Sequence, residues 1–289
     1  MTIRKIFDAL AANERLNFAL TNRLPRRAVS RLMGRVATAE NRLVSAPAIA
    51  AFRFFCAPDL SEARKSEFRS LRDCFIRELA PGRRPVDRRP DTLVSPSDGI
   101  VVAAGTVASG QMLQVKGSTY ALAELLRDAE GAAALEGGSY ATLRLTAGMY
   151  HRFHAPQDGR LAEVAHVPGD AWNVNPPALA RIPRLYCRNE RAILRFELSA
   201  GGPSVTLVAV AAILVAGIRI HGVSLPGGRA PRAPWRIACD LTRAKGEELG
   251  WFEHGSTIVV LAPRGVSLDP GVREGLTTRM GAALMRLPG

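Results

Sequence analysis

The sequence predicts an α+β fold: an N-terminal amphipathic helical region followed by a mainly antiparallel β domain. Three observations lead there. Residues 1–80 carry apolar side chains at helical spacing. Residues 92–289 break into short apolar runs separated by Gly, Pro and Asp, the texture of strands and turns. Between them, "PGRRPVDRRPD" (81–91) is a Pro- and Arg-rich linker.

In the helical region, Leu24, Ala28, Leu32 and Val36 fall on one face, and Arg26, Arg27, Arg31 and Arg35 on the other. Pro25 suits a first helical turn. Further on, "AIAAFRFF" adds Ile49, Phe52, Phe54 and Phe55. The pattern admits two readings: a helical pair packed on its own core with a solvated basic face, or helices lying in a lipid interface. Charge follows the same division. Residues 1–90 carry 19 Lys and Arg against 9 Asp and Glu, and residues 91–289 carry 20 against 17. Most of the net charge of +13 therefore belongs to the N-terminal third, which suits an anionic partner, nucleic acid or membrane surface.

In the β region, "GIVVAAGTV", "SYATLRL", "AILRFEL", "SVTLVAVAAILVAGI" and "STIVVLAP" read as strands. "YALAELLRDAEGAAAL" (120–135) reads as one helix and "LPGGRAPRAPW" (225–235) as a loop. The longest apolar run, Val205 to Ile218, is too short to span a bilayer as a helix and reads as a buried strand broken by small residues. The start, "MTIRKIFDALAANERLNF", lacks the apolar core of a signal peptide. Cys56, Cys74, Cys187 and Cys239 have neither disulfide-framework nor zinc-knuckle spacing, and a reducing cytosolic setting is expected.

Chemistry-bearing residues are few. "YHRFHAP" holds His151 and His154, an HxxH spacing that on a helical turn would suit a metal, though no carboxylate ligand stands within helical reach. "SPSDGIVV" puts Asp98 in a tight turn before a strand. A Gly-Ser-Thr step occurs twice, in "KGSTYAL" (116–122) and "HGSTIVVL" (254–261). Asp98, His154 and Ser256 together supply the parts of an activated nucleophile, but no G-x-S-x-G elbow marks a hydrolase.

Six blocks in order resemble the pyruvoyl-dependent, self-processing phosphatidylserine decarboxylase family. They are "CFIRELAPGRRPVD" with its preceding helical "LPRRAVSRLMGR", "SPSDGIVV", "QMLQVKGSTYALAELL", "YHRFHAP", "HVPGDAWNVNPPALARIPRLYCRNERAIL" and "KGEELGWFEHGSTIVVL". The resemblance implies that residues 92–289 form the catalytic domain and that the second Gly-Ser-Thr step is the active one. The chain would cut itself between Gly255 and Ser256 into residues 1–255 and 256–289, which stay together as a heterodimer, itself implied to dimerise. Ser256 would become the covalent pyruvoyl cofactor, with no metal. Asp98 and His154 would activate Ser256, and His151 would serve decarboxylation of phosphatidylserine to phosphatidylethanolamine and CO2.

Partner and location follow by the same resemblance: phosphatidylserine in an anionic membrane, peripheral contact on the cytoplasmic side of the cell membrane, and no nucleic acid. The alternatives are an uncleaved lipid-binding relative, a decarboxylase of another serine-headed lipid, and a metal-dependent hydrolase built on HxxH. Two departures from the family pattern stand out. His254 occupies a position usually apolar or small, and the segment with Ala211, Ala212, Ile213, Ala216 and Gly217 keeps small residues but loses polar ones.

Overall fold

The computed structural model describes residues 26–113, 119–199, 201–212, 217–224, 233–253 and 256–288. Leu24, Pro25, Ser118, Ile213, Ala216, His254, Gly255 and most of the 225–235 loop lie outside the described residues, as do the side chains of residues 26–31.

Three helices lead: α1 (Arg26–Thr38), α2 (Arg42–Cys56) and α3 (Leu71–Phe75). Asn41 caps α2 by accepting from Leu43 N at 2.9 Å, and Ser70 caps α3 by accepting from Asp73 N. α2 ends on Ala57 in the left-handed region, φ 44°. There Gly148 lets the backbones meet, since a Cβ on it would lie 2.3 Å from Cys56 O.

The rest is mainly strand. In order come β1 (Thr92–Val94), β2 (Gly99–Thr106), β3 (Gln111–Leu113), β4 (Thr119–Ala121), α4 (Leu122–Leu126), α5 (Ala129–Ala133), β5 (Ser139–Leu145), β6 (Arg152–His154) and β7 (Gly159–Val167). Then follow α6 (Pro176–Leu179), α7 (Leu185–Arg188), β8 (Arg191–Leu198), β9 (Ser204–Ala211), β10 (Ile218–Ile220), β11 (Trp235–Arg243), β12 (Glu248–Phe252), β13 (Ser256–Ala262), β14 (Ser267–Leu268), β15 (Thr277–Thr278) and β16 (Ala283–Arg286). Eight of them form one antiparallel sheet in the order β11-β7-β8-β9-β13-β5-β2-β15. β10-β12-β6 and β1-β16-β14 form smaller sheets.

β13 is central, and all seven of its residues are buried. That is why it reads as a continuous apolar run instead of an alternation. Ile258, Val260 and Ala262 enter one core with Leu143, Leu145 and Leu207, while Val259 and Leu261 enter the other with Tyr140, Val208 and Val210. The edge strand β11 alternates half-buried and exposed residues, with Arg236, Asp240 and Arg243 among them, charges that discourage edge pairing.

The mixed, mainly antiparallel architecture is the predicted one, but two elements differ from expectation. The helix expected over 120–135 is the last two residues of β4 followed by two short helices. Arg127 turns left-handed, φ 53°, and Asp128 caps α5 by accepting from Gly131 N at 3.0 Å; aspartate favours a cap over a helix interior. The run Val205 to Ile218 is not one strand. β9 ends at Ala211, opposite Ser256, where its partner β13 begins and the ladder stops; Ile218 belongs to another sheet.

Candidate active site

Ser256 is the first residue of β13, paired with Leu145 on one side and Ala211 on the other. It is fully buried, and among the described residues its Oγ makes no hydrogen bond. A buried hydroxyl left without a partner is costly and points to use. The preceding Glu253 is anchored firmly. Its carboxylate accepts from Arg72 Nε and, at 2.7 Å, from Arg72 Nη2; Trp251 Nε1 adds a bond at 3.2 Å and Arg219 Nε one at 3.4 Å. Burial alone would raise its pKa, but these bonds, led by Arg72, hold it below the usual carboxylate value.

Asp98 sits in the turn before β2. Its carboxylate takes a bidentate pair from Arg84, Nε at 2.8 Å and Nη2 at 2.7 Å, and Met280 N at 2.9 Å. Arg84 also bridges to Glu62 at 2.8 Å, so the 81–91 segment is stitched into the site. His154 N donates to Pro96 O at 2.8 Å, which joins β6 to the Asp98 turn. The two side chains are nevertheless not hydrogen-bonded to each other. His154 Nδ1 faces Gly246 O at 3.0 Å, and Nε2 faces Tyr150 Oη at 3.0 Å. A carbonyl only accepts, so Nδ1 carries the proton and Nε2 keeps its lone pair. Burial lowers the His154 pKa and keeps the ring neutral.

His151 is fully buried, its Nδ1 2.9 Å from Met149 O. Its ring lies against Phe75, centroids 4.0 Å apart. His151 and His154 do not share a helical turn, because β6 is a strand and the two rings have separate partners. Among the described residues no three His, Cys, Asp or Glu side chains gather as a metal site.

A cavity of about 540 Å³ opens at the end of β13. Ser256, Ala212 and Val174 line it, with Arg144, Asn173 and Asn175 as polar neighbours; Met33, Val36, Phe52, Phe55 and Phe75 from α1, α2 and α3 supply its apolar wall. Beyond that wall, α1 and α2 expose Leu32 (61%), Leu43 (86%), Val44 and Phe54, and Phe55 of the wall is itself partly exposed. Among the described residues no helix is long and apolar enough to cross a membrane.

The sequence model of phosphatidylserine decarboxylase matches residues 71–286. The chain belongs to the phosphatidylserine decarboxylase family. It is 36% identical over 286 residues to a phosphatidylserine decarboxylase proenzyme of Shewanella baltica (strain OS155), covering 95% of this chain and 97% of that one. Proenzymes of Shewanella sp. strain ANA-3 and strain W3-18-1 are equally similar over the same length. The family match starts at Leu71, the first residue of α3, and takes in Asp98, His151, His154 and Ser256.

Sequence reasoning assigned no role to Arg84, Tyr150, Glu253 or Arg144, all of which contact or adjoin the family site. Tyr150 stood in the quoted "YHRFHAP" block. Glu253 follows directly on β12, Glu248–Phe252, and no sequence pattern marked it.

Proposed function

We propose that this chain is a self-processing phosphatidylserine decarboxylase, membrane-peripheral, that makes its pyruvoyl group from Ser256. The observation carrying this is the position of Ser256: a buried hydroxyl, unbonded among the described residues, at the first residue of the central strand and at the wall of a cavity whose apolar side is built from helices. The site suits the group, since a new terminus there is held by strand pairing on both sides.

In maturation, Ser256 Oγ attacks the carbonyl of Gly255, the Oγ proton passes to a base, and the peptide C–N bond gives way to an ester. His154 is that base. Its ring is neutral and its Nε2 lone pair exchanges the Tyr150 hydroxyl for the serine proton. Removal of the Ser256 α-proton then breaks Cβ–Oγ, and Gly255 leaves as a carboxylate. Water displaces ammonia at the Cα of residue 256. Asp98 does not orient His154 through a direct bond. It fixes Arg84, whose guanidinium lies 5.9 Å from the Tyr150 ring centroid, and so steadies the partner of Nε2.

In turnover, the ketone supplies the electron sink for the pair left when CO2 departs. His151 takes a proton at Nε2 from the substrate ammonium as that amine is freed to react, Nδ1–H being committed to Met149 O, and returns it to the substrate Cα. Phe75, which lines the cavity and lies against the His151 ring, keeps water from that step. Exposed Leu32, Leu43 and Phe54, beside Arg35, Arg42 and Arg53, suit insertion into an anionic leaflet with the acyl chains entering between α1 and α2.

The test uses vesicles containing phosphatidylserine labelled in the serine carboxyl group. Wild type is expected to release labelled CO2, to lose this after borohydride treatment, and to keep it after dialysis against a chelator. No release from wild type, or release that the chelator abolishes, overturns the proposal.

A further inference from the structure

Among the described residues, Arg144 is a cation without a counter-ion. It lies on β5 opposite Thr257 of β13, one residue from Ser256 along that strand. Among the described residues it forms no ion pair, and its buried Nε makes no hydrogen bond. Its one electrostatic neighbour of note is the hydroxyl of Tyr186, and that hydroxyl and Thr257 Oγ1 adjoin each other without a bond of good geometry. Arg77 is also buried with Nε and Nη1 unbonded, but it donates from Nη2 to Gly148 O at 2.8 Å and does not line the cavity that holds Ser256. Other arginines are satisfied within the fold. Arg191, also buried, donates to the carbonyls of Leu125, Glu124, Cys187 and Asn189; Arg84 holds Asp98 and Glu62; Arg152 holds Glu248.

Among the described residues nothing offsets the solvation free energy that this half-buried guanidinium loses. An anionic ligand would supply the counter-ion. The way in is the cavity, which Arg144 lines together with Ser256, Asn173 and Asn175. Strand alternation puts Arg144 and Ser256 on opposite faces of the sheet, yet both reach the cavity, because it wraps the end of β13.

We propose that Arg144 is the receptor for the phosphodiester of the lipid head group, and so a specificity-determining residue of this enzyme. The inference rests on the decarboxylase reading above. The substrate offers two anions, the phosphodiester and the serine carboxylate, and the chemistry selects between them. The carboxylate loses its charge as CO2 forms, so an arginine clamped on it would stabilise the ground state more than the transition state. The phosphodiester keeps its charge throughout and matches the guanidinium fork. Held there, the head group is oriented while its carboxylate remains in an apolar setting that favours departure.

The experiment compares mature wild type with Arg144→Gln and Arg144→Lys. Intact mass establishes that each variant has matured, which reports folding of the site. Two readouts follow: KM and kcat on phosphatidylserine vesicles, and calorimetric Kd for dihexanoylphosphatidylcholine. That lipid carries the phosphodiester but no carboxylate and no amine able to react with a ketone. Arg144→Gln is expected to raise KM and the calorimetric Kd together, by about ten- to a hundredfold, the loss of a charge-assisted pair. Arg144→Lys should recover part of both, keeping the charge but not the fork. A raised KM with unchanged phosphatidylcholine affinity assigns Arg144 to the carboxylate and overturns the proposal. So do unchanged values of both. If wild type itself neither matures nor decarboxylates, it is the functional reading that fails, and the phosphatidylcholine titration still tests the arginine.

Discussion

Replacing Glu253 by Gln keeps the shape of the side chain and removes its charge two residues before Gly255. In the structure this carboxylate, 7% exposed at the side chain, takes both ends of a bidentate Arg72 fork and two weaker bonds. Charge-assisted bonds of this kind contribute about 1.5–3 kcal/mol each. Arg72 is 35% exposed and turns to water when released, so the net loss is nearer about 2 kcal/mol for the pair. For a chain of this size that is a fall in Tm of about 4–8 °C. The same anchor ties the end of β12 to α3, and α3 carries Leu71 and Phe75 into the cavity wall. If half the loss, about 1 kcal/mol, is felt as misplacement of Ser256 and its attacked carbonyl, maturation slows about fivefold. Thermal unfolding followed by circular dichroism gives the first number, using an unprocessed Ser256→Ala background. Time-resolved denaturing electrophoresis of freshly expressed precursor gives the second. A charge-swapped pair, Glu253→Arg with Arg72→Glu, should recover part of each. Wild-type Tm and maturation half-time in Glu253→Gln would refute the reasoning.

Burial holds the folded pKa of His154 below its unfolded value of about 6.5, so the unfolded chain binds the proton first. Stability is therefore full above about pH 6.5 and declines as pH falls; His154→Gln should flatten that decline in urea-midpoint measurements between about pH 7.5 and 5.5. Leu261→Ala removes a fully buried side chain from the doubly paired central strand and should cost about 2–5 kcal/mol, read from urea unfolding. Leu43→Asp with Phe54→Asp should weaken sedimentation with anionic vesicles by about tenfold or more, since each exposed apolar group contributes up to about 1.5–3 kcal/mol when buried in lipid.

The centre of the fold was legible because its chemistry is local. "STIVVLA" is apolar without alternation from Ile258 to Ala262, and a strand covered on two sides accounts for that. The family blocks pointed to Asp98, His151, His154 and Ser256 because each lies in a short contiguous signature. What stayed hidden depends on distant partners. Arg144 reads as the outward residue of an alternating strand, and only the cavity beside it gives it a role. The Arg72–Glu253 and Arg84–Asp98 pairs join residues 181 and 14 positions apart, which no periodicity reports. The bonding of His154 to Tyr150, and not to Asp98, is a matter of rotamers that a motif does not encode. The division of 120–135 turned on a left-handed residue, Arg127, and the cap at Asp128, in a stretch otherwise rich in Ala, Leu and Glu.

Self-cleavage at Ser256 is the central claim, and denaturing intact-mass spectrometry of purified wild type beside Ser256→Ala tests it most directly. The account predicts that wild type yields residues 1–255 and a fragment of residues 256–289 whose first residue has the mass of a pyruvoyl group, while the variant stays whole. A single intact wild-type chain, even after incubation with phosphatidylserine membranes, would contradict it.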